Sequence, residues 1–343
     1  MFDTFSLSVL LGFGAAASAV ILVAGLRMTG LADQIADRTG LGEAVVGGVL
    51  LGAATSFSGT IVSITAALDG RASLAFSNGI GGIAAQTAFL AIADILYRRA
   101  NLEHAAAELA NVFQCGLLLL LLSVPLAAYT LPEFAIWGVH PASLVLVLVY
   151  GFGVVATSRL REAPMWQPVQ TGDTRSDTPE NDDDTDKSSK GLIVRFLGLM
   201  LVMGVAGWTV SRVGAELTDR LDVSASLVGA LMTAVVTSLP ELVTTLAAIR
   251  RGALQLAVGG IIGGNTFDTL FLTVSDIGYR EGSIYHAIET GDLFWLTVGL
   301  LMTAVMLLGL VYRERQGPGG IGRESLAILL IYAGAIAVQT GIG

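Results

Sequence analysis

Shifted by 182 residues, the chain matches itself without a gap. Asp37-Arg38 falls on Asp219-Arg220, Val46-Gly47 on Val228-Gly229, and Thr55-Ser56 on Thr237-Ser238. Leu74-Ala75 falls on Leu256-Ala257, and Ile80-Gly81-Gly82 on Ile262-Gly263-Gly264. Thr87, Phe89-Leu90, Asp94-Ile95 and Tyr97-Arg98 then fall on Thr269, Phe271-Leu272, Asp276-Ile277 and Tyr279-Arg280. Apolar helices share residues by chance, but an ungapped register that carries Thr-Ser, Asp and Arg with it is specific. The chain is built twice, and what one half folds into the other must fold into as well.

Each half is strongly apolar. Of 343 residues, 53% are hydrophobic and 14% charged, and the mean hydropathy is +0.72; a soluble protein carries about 25% charged residues. The 42 glycines sit inside apolar runs, as in membrane helices whose backbones approach closely. A run of ~20 apolar residues spans a bilayer. The pattern predicts ten spans, at 7–29, 43–68, 72–97, 105–129, 134–158, 192–214, 225–249, 254–278, 290–312 and 323–342. Five spans per half is an odd number, so the second copy enters the membrane from the opposite side. The expected fold is an all-α integral membrane protein of ten transmembrane helices, arranged as two inverted five-helix repeats. Residues 1–160 form the first repeat, 161–191 an acidic linker and 192–343 the second repeat. The linker holds Asp182-Asp183-Asp184-Thr185-Asp186 and reads as a solvated tether.

Charge fixes an expected orientation. With spans alternating, 15 of the 19 bases gather on the side of the linker, and only Arg71, Arg212, Arg220 and Arg280 lie on the other. The positive-inside rule makes the first side cytoplasmic and places both termini outside, in a multi-pass protein of the cell membrane. Met1 to Ser6 has no basic segment, so no cleaved leader is expected. A net charge of −9, with lysine only at 187 and 190, argues against nucleic acid as a partner. A single cysteine, Cys115, excludes disulfides within the chain. The expected partners are inorganic cations and the lipid bilayer, with the monomer as the working unit and no cofactor.

Within the seventh span lies Thr237-Ser238-Leu239-Pro240-Glu241. A carboxylate at the bilayer centre costs at least ~2.5–3.5 kcal/mol, which makes it a functional-site hypothesis by default. A proline removes a backbone donor and is tolerated at this depth only where the opened backbone is buried in protein or lines a cavity. Thr55, Ser56, Gln86, Thr237, Ser238, Glu241 and Asp268 all fall near the middles of spans two, three, seven and eight. Inverted-repeat carriers place their ion sites there.

Thr237-Ser238-Leu239-Pro240-Glu241 followed by Gly259-Gly260-Ile261-Ile262-Gly263-Gly264-Asn265-Thr266-Phe267-Asp268 resembles the second alpha repeat of the sodium/calcium exchanger family. The resemblance covers nearly the whole chain. It implies secondary antiport of Ca2+ against Na+, with the first and sixth helices sliding over a fixed site. It also implies Glu241 as the cation-binding glutamate and Asp268 as its companion. Thr237, Ser238, Thr55 and Ser56 would supply further oxygens, and Gln86 would stand in the first repeat's Asn position. The first repeat departs from the pattern. It reads Thr55-Ser56-Phe57-Ser58-Gly59, with Gly59 where the family has a second glutamate and Ser58 where it has proline. Gly59→Glu is therefore expected to restore the missing arm and raise Ca2+ affinity. Asp94 and Asp276, four residues before Arg98 and Arg280, read as surface ion pairs, and Asp94→Asn is expected to leave transport mostly intact.

Two carboxylates in one site can also trade protons for a cation, so Na+/H+ or another cation/proton antiport is the alternative. A channel would line its pore with acids and carbonyls as well, but inverted repeats with interrupted helices favour a carrier. Ser58-Gly59 resembles part of an intramembrane serine protease motif. A nucleophile needs a base within hydrogen-bond reach, and His104, His140 and His286 all lie near span ends. The chain is not expected to be an enzyme.

Overall fold

The computed structural model describes residues 2–39, 52–97, 99–162, 167–174, 189–317 and 320–342. Predicted features at 40–51, including Val46-Gly47, and the acidic run at 182–186 lie outside the described residues. The architecture is helical, with no β-strand among the described residues. Eight helices are long and apolar enough to cross a membrane, and the bent pair Ala225–Thr237 and Leu239–Arg250 makes a ninth span if counted as one. The predicted span at 43–68 appears as its second part, the short helices Gly52–Thr55 and Phe57–Leu68.

Helix boundaries repeat with the sequence. Leu7–Thr39 and Ser189–Leu221 are both 33 residues long and are displaced by 182 at each end. Gly52–Thr55 corresponds in the same way to Ala234–Thr237. Phe57–Leu68, Ala72–Tyr97 and Pro141–Glu162 start 182 residues before Leu239–Arg251, Leu254–Asp268 and Arg323–Ile342. The same local sequence, met twice, breaks and restarts its helices at the same places.

The Ala72–Tyr97 helix is the centre of the molecule. It is buried along nearly its whole length, on every face, as expected of a helix that is apolar all round. It anchors the main core, with Phe76, Ile80 and Ile83 packed among Leu118, Leu272, Trp295 and Met302. The two 33-residue helices lie largely outside that core, to which only Ala215 among their buried residues belongs. They meet each other and the broken helices through three small apolar clusters, around Ala17 and Ile21, around Ala24 and Met28, and around Leu10 and Val213. A 33-residue helix exceeds the ~20 residues a bilayer needs, so this pair must tilt or project.

Asp94 and Asp276 correct the expectation of surface pairs. Both are buried, and each accepts two backbone N–H bonds. Asp94 receives Leu102 N–H at 2.8 Å and Gly322 N–H at 2.9 Å. Asp276 receives Ile284 N–H at 3.2 Å and His140 N–H at 2.7 Å. The donors too are related by 182, since 102 maps to 284 and 140 to 322. Each aspartate ties the end of its helix to two loops, one from each half of the chain. Three of the four arginines Arg71, Arg212, Arg220 and Arg280 are in ion pairs among the described residues: Arg71 with Asp219 at 2.5 Å, Arg220 with Glu216 at 3.1 Å, and Arg212 with Asp69.

Candidate functional site

Two helix breaks create the site. The chain leaves helical geometry at Ser56 (φ −85°, ψ 3°) and again at Ser238 (φ −95°, ψ 3°). The second break bends its helix pair by 45°, and a π-helical turn at Val228–Thr233 precedes it, a feature frequent at functional sites. Pro240 sits in the first turn of the new helix, where its missing N–H costs nothing. The first repeat breaks in the same way without a proline, so proline alone does not make the break.

The two breaks face the middle of the central helix and the end of Leu254–Asp268. A small cavity there is lined by Ser56, Gln86, Thr237, Ser238, Glu241 and Asp268, together with Gly59, Asn78, Gly82 and Phe271. Six of the seven residues singled out in the sequence thus line one cavity. The seventh, Thr55, is buried beside Glu241.

Hydrogen bonding separates this group from the buried aspartates Asp94, Asp276 and Asp292, although Glu103 and Glu324, buried elsewhere, each also leave one carboxylate oxygen without a partner. Asp292 caps its own helix, binding the Glu289 N–H at 2.7 Å, and also receives hydroxyl bonds from Ser73, at 2.6 Å, and Ser77. With Asp94 and Asp276, it is saturated by donors. Glu241 is 4% exposed, and neither carboxylate oxygen has a hydrogen bond of ordinary geometry among the described residues, although Thr55 lies alongside. Asp268, 2% exposed, accepts one bond from Gln86 Nε2 at 2.7 Å and leaves Oδ1 without a donor. Gln86 Nε2 also approaches Ser238 Oγ at 3.3 Å, while Gln86 Oε1 and Ser56 Oγ have no hydrogen bond of ordinary geometry among the described residues, although Ser56 lies alongside Asp268. Thr237 donates back to the Thr233 carbonyl at 3.0 Å, which leaves its oxygen as an acceptor only. Buried polar groups in proteins are as a rule hydrogen-bonded. Here acceptors outnumber donors around one cavity, an arrangement that suits a cation. The six residues carry eight side-chain oxygens, against the ~6–8 that Ca2+ takes.

Gln86 and Asp268 are themselves 182 residues apart. Equivalent positions of the two repeats therefore touch directly at the cavity. Asn78 does structural work beside it, donating to Gly59 O at 3.1 Å and Ser63 Oγ at 2.9 Å and accepting from Thr233 at 2.7 Å. Asn265 donates to Thr87 Oγ1 at 3.1 Å.

The structure overturns the expectation for Gly59. The edge of the Phe271 ring fills the space opposite it. A Cβ at position 59 would lie 2.6 Å from Phe271 Cε2 and 2.9 Å from Cζ. The arm missing from the first repeat has been replaced by an aromatic ring from the second, so a glutamate does not fit there unless the ring moves. Sequence reasoning had taken Phe271 only as a repeat-matched apolar residue.

No histidine lines the cavity. His104 bonds Arg313 O and Thr171, His286 bonds Leu131 O, and His140 sits against Asp276. Among the described residues Ser58 Oγ has no hydrogen-bond partner.

Buried carboxylates short of donors, at paired helix breaks in an apolar bundle, define a membrane-embedded cation-handling protein. The sequence pattern of the sodium/calcium exchanger protein family matches residues 9–158 and 190–341, so the chain belongs to that family of membrane exchangers. It is 33% identical over 136 residues to the inner membrane protein YrbG of Escherichia coli strain K12, a match spanning 38% of this chain and 41% of the relative. Its fold resembles that of the H+/Ca2+ exchanger CAX, with a TM-score of 0.67, 12% identity, and coverage of 97% of this chain and 87% of the other. It also resembles the sodium-calcium exchanger NCX_Mj, with a TM-score of 0.58, 18% identity, and coverage of 97% and 99%.

Proposed function

We propose that the protein is a secondary-active cation antiporter that exchanges Ca2+ for Na+ by alternating access. Its transport site is formed by Glu241, Asp268, Gln86, Thr237, Ser238, Thr55 and Ser56, near the membrane midplane of a ten-span inverted repeat. The observation that carries this reading is the set of buried oxygens without donors on Ser56, Gln86, Glu241 and Asp268 around one cavity. A divalent cation balances two carboxylates and uses the neutral oxygens as further ligands. Two Na+ would balance the same charge, which makes the two cargoes mutually exclusive at one site. The pair of 33-residue helices, held outside the main core by small clusters, is the element free to shift over the broken helices. In this reading the linker and most bases face the cytoplasm and both termini face out.

A second reading, Ca2+ exchanged for protons, draws on the absence of a carboxylate at Gly59. With two acids in the site, protonating both discharges the cavity as fully as two Na+ would. Uptake of 45Ca2+ into proteoliposomes under imposed Na+ or H+ gradients, with a pH dye read in parallel, separates the two. Uptake driven by a Na+ gradient at equal pH supports the first, and uptake with dye response in Na+-free buffer supports the second. Uncoupled conductance would sink both.

A further inference from the structure

The two 33-residue helices line a groove of about 510 Å3 that shares no lining residue with the transport cavity. Leu26 and Leu31 of one helix and Leu199 and Val202 of the other form apolar walls, and Arg27 and Arg195 both reach into it. Neither arginine has an acidic partner among the described residues, whereas Arg161, Arg315 and Arg323 on the same side and Arg71, Arg212 and Arg220 on the other each do. The surface around the groove is one that only hydrocarbon can cover, with Val23, Leu197 and Leu201 49%, 56% and 70% exposed. Two guanidinium groups without an acidic partner among the described residues, at the edge of such a surface, suit an anion that belongs to the bilayer.

We infer that this groove binds one anionic phospholipid. The phosphodiester lies between Arg27 and Arg195, whose planar forks match phosphate oxygens in pairs, and the acyl chains run along the leucine walls. The position follows from charge, since both arginines are on the side where 15 of 19 bases gather. Basic pockets between helices at that membrane face suit acidic headgroups. The site also touches the moving parts. Gly25, one residue before the groove wall, lets its helix press on Pro240, because a Cβ at 25 would lie 2.6 Å from Pro240 Cγ. A lipid wedged against Leu26 and Arg27 therefore holds the helix turn that rests on the broken helix.

The test is native mass spectrometry of the full chain with equal amounts of phosphatidylglycerol and phosphatidylcholine. The wild type should retain one phosphatidylglycerol in preference. Arg27→Gln and Arg195→Gln should each weaken that preference roughly tenfold, the effect of a lost charge-assisted contact, and the double variant should abolish it. Arg27→Lys should keep part of it. Both positions are exposed, so loss of folding is not expected; equal melting temperatures in phosphatidylcholine vesicles check this. The inference is overturned if the wild type shows no preference, or if the double variant keeps it. It is also overturned if the preference appears only after Asp182, Asp183, Asp184 and Asp186 are changed to Asn. The acidic linker would then be the natural occupant.

Discussion

Replacing Gly59 by glutamate tests the assignment of Phe271. In the single variant the new Cβ meets the ring edge at 2.6 Å. Overpacking of this kind costs ~1–3 kcal/mol, and the added carboxyl has no room to turn toward the cavity. Gly59→Glu alone is therefore expected to lower the melting temperature and leave Ca2+ affinity unchanged or weaker. Phe271→Ala alone removes a ring that is 3% exposed, at a cost of ~3–5 kcal/mol. In the double variant the glutamate occupies the volume the ring leaves, so the two costs should offset in part. A third carboxylate about 5 Å from the cation attracts each unit of charge by on the order of 3 kcal/mol at an effective dielectric of ~20. Ca2+ gains twice what Na+ gains. The difference corresponds to a shift of Ca2+ over a single competing Na+ on the order of a hundredfold, as an upper limit, and vanishes where two Na+ displace one Ca2+. The assay is 45Ca2+ binding to detergent-purified protein against rising Na+, with melting curves alongside. If Gly59→Glu alone tightens Ca2+ binding at undiminished stability, the ring is not in the way and the argument fails. If the double variant folds but gains no Ca2+ preference, position 59 does not address the cation.

Three further outcomes follow from the same geometry. Glu241→Gln should abolish coupled 45Ca2+ flux while leaving the melting temperature equal or higher, since a buried carboxylate without donors is replaced by a neutral amide; retained flux would undo the site. Asp94→Asn should lower stability by about 1–3 kcal/mol, because an amide oxygen cannot serve both the Leu102 and Gly322 N–H groups as a carboxylate does; an unchanged melting curve would contradict its role as a tie. The third concerns Glu103, which lies in the short helix Leu102–Ala105 that follows the central helix. Burial first, then the charges of Asp94 and Glu324, hold its carboxyl well above the ordinary range. The folded state then keeps a proton that the unfolded chain releases near pH ~4.3. Stability should fall as pH rises above that value and level off once Glu103 itself ionises. Glu103→Gln should flatten this slope in melting temperatures taken between pH 5 and 9, and an identical slope would refute it.

Much of the site was legible because its chemistry is carried by side chains that the bilayer makes conspicuous. A carboxylate and paired Thr-Ser steps inside apolar runs have few other reasons to be there, and the register of 182 named their partners. What stayed hidden depends on the backbone and on volume. Asp94 and Asp276 were read against the nearest arginines, but their partners are peptide N–H groups of Leu102, Ile284, His140 and Gly322. An N–H is present at nearly every residue and leaves no trace in side-chain identity. The break at Ser56 had no proline to announce it. Phe271 was missed because apolar residues fill most of the chain; the one available signal was that its repeat partner, Phe89, does not face a glycine left by a lost acid. The span count was cut short for a different reason, since 43–51 lies outside the described residues.

The contact between Gln86 and Asp268 bears on ancestry as well as on ions. Residues that meet their own counterparts cannot vary independently: a protein assembled from two copies of one half would set like against like at this point. Two copies of the second half would bring aspartate against aspartate, at a separation where Gln86 and Asp268 now stand 2.7 Å apart. Two copies of the first would bring glutamine against glutamine and remove the charge. At this contact the halves have diverged into a matched donor and acceptor. A half-length chain is therefore expected to be unable to rebuild this centre as a homodimer, while the two different halves, expressed as separate polypeptides, retain everything needed to restore it.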